Sequence, residues 1–422
     1  MRRRSVCTLI AIILLAPVPA AALYFEYPDA DLVLDLPIGW RLSESSNGGA
    51  AADSAWLFEH GDVRAELFVS RSAGATIDEA LDGAAESVGA AGDVAVFDYA
   101  GEEAFFSDVE LSGDRSGYLM AIEVDGRIAV LFVTAPSHAR LDAEEELLSV
   151  ADSLVPVEPL PGPVSVFFEG TVFDEEDVEI PFPGPNGRGL SGEIPVTFSA
   201  GPNAVETGHI LVSREATILE RYEFTEFSNG DGRSLAPSSE QDPKWLRAWR
   251  RYFRRIYRDS YVRVERLADE IDSLFDSNAT AEEERADVVL SWLQSFEFRQ
   301  AQNPGLFQTT AESLMTASGD CDSLAVIYVA LLDHLGIEAQ LLVSTEHGHA
   351  IAIVDSGDAA SGNGEISGEP KGTASPAGSP EGGRFEIEGR EFLPAEMTAA
   401  WPLGKIAAGH ADAAGWHVVD LR

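Results

Sequence analysis

The feature that most constrains the fold is a helix–strand–strand pattern in residues 319–354, GDCDSLAVIYVALLDHLGIEAQLLVSTEHGHAIAIV. Apolar side chains recur there at the three- and four-residue spacing of a helix: Leu324, Ile327, Tyr328, Leu331, Leu332 and Leu335. Gly336 predicts the end of that helix, which we place over residues 321–335. Segments 338–344 and 348–354 predict two strands joined by a tight turn, so the helix should pack on one face of their sheet.

Cys321 lies in the first turn of this helix, on the same side as the apolar stripe. The positive end of the helix dipole and the unpaired N–H groups of the first turn favour a thiolate, so we expect the pKa of Cys321 to be depressed. Asp320 and Asp322 flank the cysteine, and we expect them to cap the helix. Because the thiolate is the reactive form of cysteine, the sequence predicts a catalytic nucleophile at this position.

His349 begins the second strand and shares one strand face with Ile351 and Ile353 by alternation. A histidine there can meet the helix start, pair with the thiolate and later donate a proton. His347 is the rival, but it falls in the turn and we expect it to face solvent.

A third group should orient the imidazole of the histidine, and the next strand-like segment, RFEIEGREFLPAEMT, offers two carboxylates. Glu396 fills this role if its strand pairs beside the histidine strand, and Glu391 is the alternative. We also weighed a buried structural cysteine and a zinc site made of Cys321, His349 and Glu396. Structural zinc normally takes more cysteine and histidine ligands than this chain gathers, so we expect no metal and no cofactor.

The residues of this region resemble the transglutaminase-like superfamily of cysteine proteases and acyltransferases, from near Lys244 to the C-terminus. The matching positions are Gly319, Cys321, Leu332, Gly336, Ile337, Ala339, His349 and Ala350. The third position departs from the family pattern, because Glu396-Met397-Thr398 stands where the family usually has Asp-Pro-Thr.

This resemblance implies a papain-like core, in which the cysteine helix packs on an antiparallel sheet that carries the histidine and the acid. It implies attack on an amide carbonyl, an acyl-thioester intermediate, and transfer to water or an amine, with hydrolysis favoured over crosslinking. The backbone N–H of Cys321 would hold the oxyanion in part, and the side chain of Gln308 is a further candidate donor.

The whole chain is predicted to be α+β and multidomain. Residues 23–157 predict an N-terminal antiparallel α/β sandwich, whose LPIGW segment, antiparallel strand run and closing helix resemble the PsbP-like domain. We expect a β-rich middle segment over 158–235, with strands at 164–170, 192–200, 208–213 and 221–227 and a solvated acidic turn at 173–180. The transglutaminase-like domain then covers 236–422, with a flexible loop at 355–383 that could act as a lid.

Residues 1–22 have the anatomy of a secretory signal peptide, with Arg2, Arg3 and Arg4 before an apolar run and an Ala-rich cleavage site after two prolines. We therefore expect an exported protein, periplasmic or extracellular, with no stable membrane span after cleavage. Cleavage removes Cys7 and leaves Cys321 as the sole cysteine, which excludes an intramolecular disulfide.

The charge balance is strongly acidic, with 29 Lys+Arg against 71 Asp+Glu and a formal net charge of −42. Such a chain repels phosphate backbones, which argues against nucleic-acid partners. An arginine-rich helix near residues 244–275 is the exception, and we expect its charges to be neutralised internally by the acidic domains.

Together these features predict an exported cysteine peptidase or amidase. Its partner would be a protein or peptide substrate, such as one of the cell envelope. The alternative is a catalytically silent envelope protein that uses the same fold as a binding module or scaffold.

Overall fold

The computed structural model describes most of the chain, in the following ranges: residues 24–27, 31–47, 53–71, 76–91, 94–169, 176–183, 193–200, 203–220, 244–299, 307–344, 346–356, 380–413 and 415–421. The predicted signal peptide, the predicted strand at 221–227 and most of the predicted loop at 355–383 lie outside these residues. The domain boundary near 235 lies outside them as well, and the boundary near 157 stays a prediction.

The N-terminal part is an antiparallel sheet flanked by helices, as predicted. Its strands are β1 Tyr24–Tyr27, β2 Leu32–Asp35, β3 Arg41–Asn47, β4 Ser54–His60, β5 Val63–Arg71, β6 Ala90–Ala91, β7 Ala95–Tyr99, β8 Glu102–Leu111, β9 Arg115–Val124, β10 Arg127–Pro136 and β11 Leu154–Pro156. Its helices are α1 Ile77–Val88 and α2 Glu144–Ala151. The main sheet runs β3-β4-β5-β10-β9-β8-β6, β7 pairs with β8, and β1-β2-β11 form a smaller sheet.

Alternation along β9 explains why helices cover both faces of the main sheet. Leu119 and Ala121 are buried with α1 on one face. Tyr118, Met120 and Ile122 are buried on the other face, with α2 and the smaller sheet. The LPIGW segment, residues 36–40, separates β2 from β3 and contains a turn at Ile38–Gly39.

The middle part corrects two of the strand predictions. Of the strands expected at 164–170 and 208–213, residues 164–169 and 208–213 lie in helices α3 Pro163–Glu169 and α4 Ala204–Glu220. Short runs rich in β-branched residues do not distinguish a strand from a buried helix, and here helix packing decides. The acidic run at 173–180 was predicted as a turn, but its described residues, 176–180, lie in strand β12 Glu176–Pro183. This strand pairs with β13 Glu193–Ala200, which confirms the strand predicted at 192–200.

The arginine-rich segment forms one long helix, α5 Lys244–Ser277, and buries its basic face. Arg254 donates two hydrogen bonds of 3.0 Å to Asp35 of β2. Further buried ion pairs join Arg251 to Glu215, Arg255 to Asp152, and Arg263 to Glu169 and Asp259. The expected internal neutralisation is therefore confirmed.

The C-terminal part packs helices against one face of a five-stranded antiparallel sheet. Its elements are α6 Glu282–Leu293, β14 Glu297–Phe298, α7 Thr310–Thr316, β15 Ser318–Gly319, α8 Cys321–His334, β16 Ala339–Ser344, β17 His349–Asp355, β18 Pro380–Gly382, β19 Phe385–Ile387, β20 Arg390–Ala395, β21 Lys405–Ala407 and β22 His417–Val419. The sheet order is β19-β20-β17-β16-β22, and α8 is almost wholly buried between it and α5. Among the described residues, no helix combines the length and apolar character needed to cross a membrane.

Candidate active site

Cys321 is the first residue of α8, as the sequence predicts. Asp320 is the N-cap, and its carboxylate accepts hydrogen bonds from the Ser323 backbone N–H at 2.9 Å and hydroxyl at 2.6 Å. The preceding Gly319 has no room for a side chain, since a Cβ there would lie 2.8 Å from a methyl carbon of Leu324. The helix start that presents the cysteine is therefore tightly held.

The thiol of Cys321 is partly buried between a carboxylate and the neighbouring strand. Its Sγ donates to Oδ1 of Asp322 at 3.3 Å, and the N–H of Ala350 in β17 donates to the sulfur. Burial first, and then the charges of Asp322 and Asp320, raise the pKa of the thiol far above its ordinary value. The predicted depression of this pKa is wrong, because desolvation outweighs the helix N-terminus. The predicted capping role of Asp322 is also wrong, because its carboxylate accepts from the thiol.

Asp322 is itself perturbed by the same environment. Burial first, and then the charge of Asp320, raise its pKa from 3.8 to about 6. A protonated His349 would lower the pKa of this carboxyl group. The carboxyl group of Asp322 in α8 therefore senses the charge state of His349 in β17.

His349 opens β17 and is joined to the predicted acid. Its Nε2 lies 2.9 Å and 3.1 Å from the two carboxylate oxygens of Glu396. Among the described residues, no hydrogen bond joins the thiol of Cys321 to this imidazole. Because Nε2 is hydrogen-bonded to Glu396, Nδ1 is the ring nitrogen that remains for proton transfer.

Glu396 follows directly after β20, which pairs with β17 as the prediction requires, Ala352 opposite Ala395. The N–H and hydroxyl of Thr398 donate to Oε1 of Glu396 at 3.0 Å and 2.6 Å. Burial alone would raise the pKa of Glu396, but the bonds from His349 and Thr398 hold it below its ordinary value. Glu391, the alternative acid, is exposed and paired with Arg384, away from the histidine.

The predicted alternation along β17 is confirmed, and α8 packs on the face that does not carry Ile351 and Ile353. Ala350 and Ala352 pack under α8, whereas Ile351 and Ile353 lie in the core on the opposite face of the sheet. By alternation His349 belongs to that opposite face, at the end of the strand where the N–H of Ala350 donates to the sulfur of Cys321.

Sequence reasoning missed the aromatic wall around His349. The rings of His410 and Trp416 lie 5.4 Å and 6.2 Å from it, centroid to centroid. His347 packs 4.4 Å from His410 and 5.5 Å from Trp416, so it does not simply face solvent as predicted. Burial and the nearby histidines lower the pKa of His410. No periodic pattern marks residues 408–416, so only the fold identifies them.

Gln308 is close to the helix start but is engaged elsewhere. Its backbone N–H donates to the Ser323 hydroxyl at 3.1 Å. Both N–H groups of its side-chain amide are used, on Thr316 at 3.2 Å and Ser318 at 3.1 Å. The side chain must rotate before it can serve an oxyanion, and this role stays a prediction.

The comparisons with known proteins concern two separate parts of the chain. No curated protein matches it. The chain is similar to the solution structure of cyanobacterial PsbP (CyanoP) from Synechocystis sp. PCC 6803, at 12% identity and a TM-score of 0.28, over 36% of this chain and 98% of that one. Residues 266–420, which include Cys321, His349 and Glu396, match the family model of the Transglutaminase-like superfamily, so the resemblance of the C-terminal part to that family is confirmed.

Proposed function

We propose that the protein is an exported transglutaminase-like cysteine peptidase or amidase that acts on protein or peptide amide bonds. The observation that carries the proposal is the hydrogen-bonded chain from Thr398 through Glu396 to His349. This chain ends beside Ala350, whose N–H donates to the sulfur of Cys321. An oriented histidine next to a helix-start cysteine is the arrangement that thiol nucleophilic catalysis requires.

In this mechanism His349 acts as a general base during attack, because the raised pKa of Cys321 keeps the resting thiol protonated. The sulfur bonds to the amide carbonyl carbon, and its proton passes to the imidazole. The Cys321 backbone N–H, unpaired within the first turn of α8, donates to the developing oxyanion. The C–N bond then breaks, the imidazolium protonates the leaving amine, and a thioester remains.

Glu396 holds the imidazole and stabilises its positive charge during both steps. Water attacks the thioester carbon while His349 takes its proton. The C–S bond breaks, the proton returns to the sulfur, and the carboxylic acid leaves. An amine in place of water would form a new amide, and product analysis with and without an added amine distinguishes the two outcomes.

Export enters the proposal through residues 1–22 alone, whose sequence has the anatomy of a signal peptide. It places the substrate in the periplasm or outside the cell.

The test is turnover of a mixed peptide-amide pool by the protein and by paired variants. Cys321→Ala should abolish turnover, and His349→Ala and Glu396→Gln should lower it on the order of 10²–10⁴-fold. The matched controls are His347→Ala and Glu391→Gln, which should keep most of the activity. Turnover that persists in Cys321→Ala would refute the assignment.

One observation favours the second candidate, a silent binding or scaffold protein. The thiol is protonated and bonded to Asp322, with no described hydrogen bond to His349. Iodoacetamide decides between the two: a thiol whose reactivity falls in His349→Ala supports the enzyme. A thiol that stays inert at every pH, together with absent turnover, supports the scaffold.

A further inference from the structure

Three side chains with metal-binding atoms converge next to the proposed catalytic cysteine, and one of them has no part in the mechanism above. His349, Glu396 and His410 each offer a ligand atom, and these atoms all lie within 4.8 Å of one another. The three ligand atoms would need to move slightly closer around one ion, since zinc-bound nitrogen and oxygen atoms sit about 2.0–2.2 Å from the metal and so at most about 4.4 Å apart.

His410 has a ring nitrogen that the rest of the described chain does not use. Its Nδ1 is buried without a hydrogen-bond partner among the described residues. A buried polar atom left in this state is costly, and an ion bound there would satisfy it.

The position of His410 is also held by packing. Its backbone carbonyl accepts a hydrogen bond of 3.0 Å from the indole N–H of Trp416. The ring stands against the buried indole, 6.1 Å between centroids. At the other corner of the site, Thr398 fixes the carboxylate of Glu396. Outer contacts of this kind orient metal ligands.

We propose that His349, Glu396 and His410 bind one divalent transition-metal ion of the zinc class, and that this ion reversibly switches the active site off. Two imidazoles and one carboxylate suit zinc and its neighbours, whereas magnesium and calcium prefer sets of oxygen ligands. Cys321 is not a ligand of this site, which distinguishes it from a zinc site built on the cysteine.

The inhibitory consequence rests on the proposed function. An ion bound to His349 and Glu396 replaces the hydrogen bond between them, so the imidazole loses its orienting partner and one nitrogen is occupied by the metal. With the metal on Nε2, the neutral imidazole carries its proton on Nδ1 and is unable to accept the thiol proton.

Metal binding is measured first without any activity, by calorimetric titration of Zn²⁺ into Cys321→Ser, which removes the thiol as a ligand. We expect one Zn²⁺ per chain, and at least about tenfold weaker binding when His410→Ala is added. The matched control is His347→Ala, whose ring is adjacent but outside the three-ligand group. Mg²⁺ and Ca²⁺ should not compete.

Loss of affinity in His347→Ala but not in His410→Ala would overturn the site, and so would the absence of stoichiometric Zn²⁺ binding. The switch itself is measured as the Zn²⁺ concentration that halves turnover, each variant compared with its own metal-free rate. It should rise at least about tenfold in His410→Ala. Zinc binding without any amide turnover would uphold the site and refute the proposed enzyme, whereas turnover without zinc binding would do the reverse.

Discussion

The protonation of one thiol decides how this site works. At Cys321 a helix N-terminus and the N–H of Ala350 favour the thiolate, while burial and two carboxylates oppose it. A helix terminus contributes about 0.3–1 kcal/mol, and up to about 2 in favourable geometry. Desolvation can shift a buried group by several pKa units, at about 1.4 kcal/mol each. Burial therefore dominates, and the residue is a neutral thiol that needs a base.

Removal of the neighbouring charge should make this thiol more acidic. In Asp322→Asn the amide keeps an acceptor for the Cys321 thiol but no longer repels the thiolate. We expect the pH midpoint of alkylation by iodoacetamide to fall by about 1–3 units, measured by mass spectrometry of the labelled peptide. Asp333→Asn, at the far end of α8, is the control and should leave the midpoint in place. An unchanged midpoint in Asp322→Asn contradicts the electrostatic account.

The same substitution should stabilise the protein in a pH-dependent manner. The pKa of Asp322 rises from 3.8 to about 6 on folding, so the folded state binds more protons than the unfolded state between these values. The free energy of unfolding therefore falls as the pH rises from 3.8 to about 6, and the full destabilisation by the ionised Asp322 applies above that range. Asp322→Asn should gain about 2–3 kcal/mol at pH 8 and little near pH 4, by urea unfolding at both pH values. An equal gain in the free energy of unfolding at both pH values would exclude the titration of Asp322 as the cause.

At the scale of the elements, strand register assembles the acid–histidine pair. Glu396 reaches His349 because β20 pairs with β17 so that its last residue, Ala395, stands opposite Ala352. A slip of one residue would turn the side chains of β20 to the other face and separate the two groups.

The start of α8 depends on its N-cap. Asp320→Ala removes the acceptor for the N–H and hydroxyl of Ser323 and should cost about 1 kcal/mol of unfolding free energy. Asp320→Asn keeps an acceptor and removes a carboxylate whose pKa is raised chiefly by burial, so it should retain most of the stability. Thermal unfolding of the two variants checks this. If Asp320→Asn lost as much stability as Asp320→Ala, the charge of Asp320 and not its capping hydrogen bonds would stabilise the helix start.

At the scale of the molecule, α5 joins the N-terminal, middle and C-terminal parts through buried charges. Its Arg254 binds Asp35 and its Arg251 pairs with Glu215, while the Arg250 side chain donates to the Val418 carbonyl of the C-terminal sheet. Burial of such pairs is costly, but removal of one partner leaves an uncompensated charge in the interior.

Arg254→Ala should therefore destabilise the protein by about 3–5 kcal/mol, because it leaves Asp35 buried without its bidentate partner. The pKa of Asp35 is held below its ordinary value despite burial, chiefly by Arg254. The double variant Arg254→Met with Asp35→Leu should recover most of the loss, measured by urea unfolding. No recovery would mean that the arginine acts through packing alone.

Much of the site could be predicted because its signals are local. Helical spacing after Cys321, the Gly336 stop and the alternation that starts at His349 are properties of neighbouring residues, and all three are confirmed. Glu396, the acid of the proposed triad, was predicted from the pairing of its strand beside the histidine strand, and its hydrogen bond to His349 agrees with that prediction.

The sequence by itself determined the helix and the two strands, the cysteine at the helix start and the basic face of α5, since periodicity and end signals act over a few residues. Only the tertiary structure decided the rest. It made helices of two apolar runs, put the histidine on the sheet face opposite α8, brought His410 beside Glu396, and reversed the pKa shift expected for Cys321. These outcomes depend on burial and on contacts between residues far apart in the chain, which no local pattern encodes.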